Sequence, residues 1–361
     1  MKYIDEYRDT NEVKKIADKI IQTAVKPINI MEVCGGHTMA IRKNALERIV
    51  GDKVRFISGP GCPVCVTSIK DIDKIMYLAL NEDVVICSFG DLYDVPGSRH
   101  SLSGIKALGK DIRMVYSVAD VIKYAQEEKN KKFIFVSIGF ETTTPGTAAA
   151  ICEVKNKGID NFYVLCLNKT MPAALKAVLS NKRSRVDALL CPGHVSTITG
   201  SGIYSSIVND LGVSCCIAGF EPVDLLNAVY VLVKSNEENK PVLFNAYERV
   251  VHSEGNLKAL DIMNKVFESA SADWRGLGIV PDSGLKIRNT FSELDAEKVF
   301  KIKIKDAKEK QGCICGDILI GASDPKDCPS FGKTCTPETP IGACMVSSEG
   351  ACAAWYKYRV L

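Results

Sequence analysis

The sequence predicts an α/β protein of two similar parallel-sheet domains flanking a cleft, with a third, cysteine-rich domain at the C-terminal end. Three observations carry this. Eight short runs rich in β-branched and aromatic residues alternate with stretches of helical periodicity, the mark of βαβ units. The alternation comes as two sets of four, which argues for two units of similar build. Six of the 15 cysteines fall in the last 50 residues, beyond both sets.

Taken in order, an amphipathic helix is expected over about residues 9–25, in an N-terminal segment (1–27) that packs on the C-terminal domain. The first domain, 28–118, carries the strands INIMEV (28–33), VRFISG (54–59), VVICSF (84–89) and IRMVYS (112–117), with helices in TMAIRKNALERIV and TSIKDIDKIMYLAL. The second, 119–238, repeats the pattern with KFIFVSIGF (132–140), FYVLCL (162–167), VDALLCPGH (186–194) and VSCCIAGF (213–220). There is a weak internal echo: GPGCPV (59–64) resembles CPGHVS (191–196), and Gly-Phe-Glu follows a strand at 139–141 and again at 219–221. The polar SNEENKP (235–241) reads as a linker into the C-terminal domain, 239–361, which opens with a helix through HSEGNLKALDIMNKVFESA.

Composition is that of an ordinary globular chain, with 46% hydrophobic and 25% charged residues over 361 positions. Forty-six Lys and Arg against 43 Asp and Glu leave +3, without the dense basic run that nucleic acid requires. No apolar window reaches the length of a membrane span, and the charged N-terminal segment lacks a signal-peptide core, so a cytoplasmic protein is expected. An odd number of cysteines in a reducing compartment argues for metal ligation or thiol chemistry over a structural disulfide framework.

The unusual tripeptides sit where strands end and helices begin, the edge of an open α/β sheet that binds ligands. Cys34, in Cys34-Gly35-Gly36-His37-Thr38, is placed where a helix N-terminus favours its thiolate, with His37 one turn on; a soft metal ligand, a nucleophile and a buried structural thiol are the open readings. Cys62-Pro63-Val64-Cys65 has the spacing of a dithiol/disulfide pair and equally of half a metal site. Glu141 and His194 each occupy a Gly/Pro loop at a strand end and are candidates for the same cleft. Their bland readings are a helix N-terminal carboxylate and a turn residue. The tail thiols Cys313, Cys315, Cys328, Cys335, Cys344 and Cys352 match neither zinc-finger nor bacterial ferredoxin spacing, and could hold a 4Fe-4S cluster or a structural zinc.

Together, CGGHT, GPGCPVC, GFETTTPGT, PGHVS and the tail CxC…DCPxFGxxC…GACMVSSEGAC resemble the HypD family of NiFe hydrogenase maturation proteins over essentially the whole chain. The resemblance implies a C-terminal iron-sulfur cluster domain, its 4Fe-4S cluster on Cys313, Cys328, Cys335 and Cys352, which leaves Cys315 and Cys344 as a further pair. It implies a small partner, HypC, with which the iron is held while two cyanides and one CO are attached, and HypE as the cyanide donor. The hydrogenase large subunit is then met indirectly, through HypC. Cys34 would bind the iron, with Cys62 and Cys65 redox-active or close to it. Soft thiolate suits low-spin iron(II) bearing cyanide and CO. The sequence also leads us to expect Cys315 and Cys344 to relay electrons between the cluster and Cys62/Cys65. The competing function is a stand-alone iron-sulfur-dependent dithiol oxidoreductase acting on a partner protein.

Overall fold

The computed structural model describes residues 5–304, 307 and 311–358. All eight apolar runs form strands: β1 Ile28–Glu32, β2 Val54–Ser58, β3 Val85–Ser88, β4 Ile112–Met114, β5 Phe133–Ser137, β6 Phe162–Cys166, β7 Ala188–Pro192 and β8 Ser214–Ala218. Most are buried on both faces, as parallel strands covered by helices must be, and this is why they read as continuous apolar runs. The structure adds β9 Leu243–Asn245 and an antiparallel hairpin of β10 Phe267–Trp274 with β11 Gly278–Ile287.

Two parallel sheets result, but they divide the chain differently from the sequential domains 28–118 and 119–238. The first sheet has the order β2-β1-β7-β8-β9 and the second β4-β3-β5-β6. The first domain is therefore discontinuous, built from about 28–58 and 188–245, with the second inserted between. Register explains the choice: Ile30, Met31 and Glu32 of β1 pair with Ala188, Leu189 and Leu190 of β7, completing a sheet that β1 and β2 alone could not. One apolar cluster joins the two domains, taking Met31, Ile57 and Leu189 from the first sheet and Ile86, Ile134 and Leu165 from the second.

The N-terminal helix, Thr10–Thr23, also packs elsewhere than expected. Asp9 caps it, accepting from the N–H groups of Asn11 (2.8 Å) and Glu12 (3.0 Å). Its stripe of Val13, Ile16, Ala17 and Ile20 is buried against Val223, Leu226 and their neighbours on helix Pro222–Glu237, on the outer face of the first sheet rather than on the tail. Burying Ile20 completely contributes about 2 kcal/mol.

Residues 239–361 do not form one domain. SNEENKP runs from the end of helix Pro222–Glu237 into β9, so it lies within the first domain. The helix expected through residue 270 ends at Val266, and Phe267 begins β10. Helix Leu257–Val266 and the hairpin pack on the second domain, against helices Thr144–Lys157 and Met171–Leu179. The cysteine-rich tail runs through short helices, Cys315–Leu319, Ala343–Val346 and Ala351–Lys357, across the strand ends of the first sheet.

Candidate functional site

In an open parallel sheet, a crevice opens at the C-terminal strand ends where successive connections leave in opposite directions. That point in the first sheet lies between β1, which connects toward β2, and β7, which connects toward β8. Cys34 follows β1 and His194 follows β7, and Cys34 Sγ lies 3.8 Å from His194 Nδ1. Phe220, just beyond β8, stands beside both imidazoles, its ring 4.9 Å from that of His37 and 5.4 Å from that of His194. His37 Nε2 lies 3.3 Å from the carbonyl oxygen of Ala218. Three strand ends thus build one site from Cys34, His37 and His194.

The loop after β2 closes over it. The Gly35 N–H donates to the carbonyl of Gly61 at 3.3 Å, and a β-carbon on Gly61 would overlap the backbone of Cys34. The next residue, Cys62, caps the short helix Pro63–Val66, its sulfur accepting from the Cys65 N–H at 3.1 Å. Cys62 and Cys65 stand at disulfide distance, with 5.2 Å between their α-carbons. From the tail, Glu349 lies against Gly35 so closely that a β-carbon on the glycine would overlap it.

The thiol of Cys34 is buried, at 1% exposure. Burial, and next the nearby carboxylate of Glu349, push it up to about 12, although the backbone N–H groups of Gly36 and His37 favour its thiolate as the helix start predicts. The expectation that the helix N-terminus favours the thiolate is therefore corrected: desolvation outweighs the helix terminus, and Cys34 rests as a thiol. Burial, and next His194, push His37 down to about 4, and burial lowers His194. Both imidazoles rest neutral, and in its Nε2–H tautomer His194 presents the Nδ1 lone pair to the Cys34 thiol.

Glu141 is placed differently. Its Oε1 accepts from the N–H of Met171 at 3.0 Å, capping helix Met171–Leu179, while Oε2 is buried without a hydrogen-bond partner. Burial pushes it up to about 7. No hydrogen bond among the described residues joins it to Cys34, His37 or His194.

The tail thiols gather. Cys313, Cys328, Cys335 and Cys352 line one small cavity with Ile318, Phe331 and Met345, and no lining side chain carries oxygen or nitrogen. Among the described residues no group of three or more His, Cys, Asp or Glu closes on a single ion. An all-thiol, apolar lining has the donor chemistry of an iron-sulfur cluster site. Burial raises Cys313 and Cys352. Cys315 and Cys344, at disulfide distance with α-carbons 6.5 Å apart, border the same cavity. The carbonyl oxygen of Ala343, next to Cys344, lies 3.9 Å from Cys65 Sγ.

The family model HypD, described as the hydrogenase formation hypA family, matches residues 11–359. The chain belongs to the HypD family of hydrogenase maturation factors. It is 43% identical to the hydrogenase expression/formation protein HupD of Azotobacter chroococcum mcd 1 over 367 aligned positions, 99% of this chain and 97% of the relative. It is 41% identical to the hydrogenase maturation factor HypD of Escherichia coli (strain K12), covering 99% and 98% of the two chains. To HypD of Cupriavidus necator it is 43% identical, over 99% and 97%.

This HypD-family chain also uses residues that sequence reasoning passed over. Glu32, the one carboxylate in the run INIMEV, is 2% exposed and accepts from Thr38 Oγ1 (2.5 Å) and Ser58 Oγ (3.5 Å), tying the CGGHT loop to β2. Burial pushes it up to about 7. Arg275, at the hairpin tip, donates from Nε to the carbonyl of Cys65 and from Nη2 to that of Thr67, each at 3.0 Å. The neighbouring Gly276 packs against Gly316, so the tip sits between the Cys62/Cys65 turn and the Cys315 helix. Glu32 could have been suspected from its apolar surroundings; Arg275 and Glu349 meet the site only through tertiary packing.

Proposed function

We propose that this chain is the scaffold and redox centre on which, with HypC and HypE, the Fe(CN)2CO group is assembled and held before HypC passes it to the hydrogenase large subunit. One observation carries the reading. Cys315 and Cys344 border the four-cysteine cavity, Cys65 Sγ lies 3.9 Å from the carbonyl oxygen of Ala343 beside Cys344, and Gly61, next to Cys62, packs on the backbone of Cys34, whose sulfur faces His194.

Iron bearing cyanide and CO is the cargo, and Cys34 is its soft ligand. When the sulfur takes the iron, its S–H bond breaks and His194 Nδ1 accepts the proton, so an uncharged pair becomes thiolate-iron and imidazolium. The buried setting holds the thiol inert until iron arrives. Cys62 and Cys65 as a dithiol can give two electrons and two protons, closing their disulfide. Exchange with Cys315/Cys344 as a dithiol restores them, one S–S bond breaking as the other forms. Cys313, Cys328, Cys335 and Cys352 would hold a 4Fe-4S cluster, which supplies electrons singly. The rival, a stand-alone dithiol oxidoreductase, has no use for Cys34 and His194 at the switch point.

Iron analysis with infrared spectroscopy separates the two. Purified anaerobically with HypC, the scaffold carries iron beyond the cluster's four and shows cyanide and CO bands. The oxidoreductase carries cluster iron alone and no such bands.

A further inference from the structure

The second Gly-Phe-Glu, Gly219-Phe220-Glu221, has no part in the reading above, yet its phenylalanine stands beside both imidazoles of the site. We propose that Phe220 is a positioning residue: its ring, wedged beside His37 and His194, fixes the His194 imidazole against the sulfur of Cys34.

Five observations support this. The ring lies 4.9 Å from His37 at an interplanar angle of 42° and 5.4 Å from His194 at 34°, so one aromatic ring is in contact range of both imidazoles. The absent side chain of Gly36 leaves the space that the Phe220 ring and the Cys34 sulfur share: a β-carbon there would lie 3.2 Å from the ring and 3.4 Å from Sγ. The backbone around Phe220 is held on both sides. A β-carbon on Gly219 would overlap Asp224 and Tyr247, and Glu221 caps helix Pro222–Glu237 while pairing with Arg8, whose Nε lies 2.5 Å from its carboxylate. His194 itself is half-buried, and among the described residues its one hydrogen-bonding neighbour through Nδ1 is the thiol, so the ring is what restrains rotation of its imidazole. The echo in the second domain is used alike: Phe140 stacks on Trp274 at 6.0 Å, again an aromatic wall beside a strand end.

The inference rests on Cys34 being the reactive thiol, and its test needs no iron, so it fails separately from the assembly reading. The measurement is the rate at which iodoacetamide alkylates Cys34 at one fixed pH, followed by mass spectrometry, with the fully buried Cys87 as an internal reference for opening of the fold. Because His194 takes the thiol proton, His194→Gln slows alkylation of Cys34 relative to Cys87, by about tenfold, the low end of general-base effects. Phe220→Leu, which keeps apolar bulk and loses the flat ring, slows it comparably, and Phe220→Tyr restores the wild-type rate to within about twofold. In the double variant, Phe220→Leu adds nothing to His194→Gln. The proposal is overturned if the two effects add, if Phe220→Leu leaves the rate unchanged or raises it, or if Cys87 changes in step with Cys34.

Discussion

Glu349 occupies the space a side chain on Gly35 would need, so the tail of the chain rests directly on the helix turn that carries Cys34. A segment more than 300 residues away in sequence thereby sets the electrostatics of the thiol, because the Glu349 carboxylate is second only to burial in raising it. Gly35→Ala should push Glu349 aside at a cost of about 1–3 kcal/mol, seen as a lower denaturation midpoint. Glu349→Gln keeps the packing and removes the charge. Alkylation of Cys34 at pH 8 should then speed up, by about tenfold for each unit by which the thiol becomes more acidic. An unchanged rate would show that the carboxylate is not felt at the sulfur.

The four-thiol cavity predicts a ligand set. Ala at Cys313, Cys328, Cys335 or Cys352 should each abolish the brown absorbance of an anaerobically reconstituted protein and loosen the tail, whose short helices have little core of their own. Cys315→Ala should keep its colour. Loss of the cluster in Cys315→Ala with retention in Cys313→Ala would reassign the ligands.

Arg275 ties the hairpin to the Cys62/Cys65 turn through two carbonyls, and its removal strands both in a buried setting. Arg275→Ala should cost about 2–4 kcal/mol in urea denaturation and expose the Cys62–Cys65 pair to faster reduction by added thiol. Equal reduction rates in the variant and the parent would place the clamp outside the redox site.

Glu141 is pushed up to about 7 from an ordinary carboxyl value of 4.5. The folded protein therefore binds its proton more tightly than the unfolded chain, and the stability this gives is lost as pH rises from about 4.5 to about 7. His37, pushed down to about 4, acts oppositely, costing stability as pH falls below 6.5. Comparison with Glu141→Gln isolates the carboxyl. The variant should gain on the parent across that window, by about 1–3 kcal/mol at pH 8, because the amide still accepts from the Met171 N–H and carries no charge. A pH-independent difference would contradict the buried, protonated carboxyl.

Eight of the nine strands of the two parallel sheets, all but β9, were legible, since strands covered on both faces must be apolar throughout. Their distribution was not: the pairing of β1 with β7 is fixed by how the chain crosses over, and nothing in INIMEV marks ALLCP as its neighbour. The β10–β11 hairpin was hidden because FESASADW is rich in small residues whose alternation is weak, and it followed a true helix without a break. At the site, Cys34, His37 and His194 could be named because each ends a strand in a Gly-bearing loop. The burial of Cys34 could not, since Gly61 and Glu349, which close over it, come from loops remote in sequence. Glu141 shared the same local signature but lies in the other sheet, where it caps a helix.

The central claim is that Cys34 holds the iron cargo. Its most direct test is the infrared spectrum of Cys34→Ala, isolated anaerobically with HypC, beside its visible absorbance. The account predicts that the cyanide and CO bands disappear while the cluster absorbance and the fold persist, since the side chain donates to iron and takes no part in the four-thiol cavity. Cyanide and CO bands of parental intensity in the variant would contradict it.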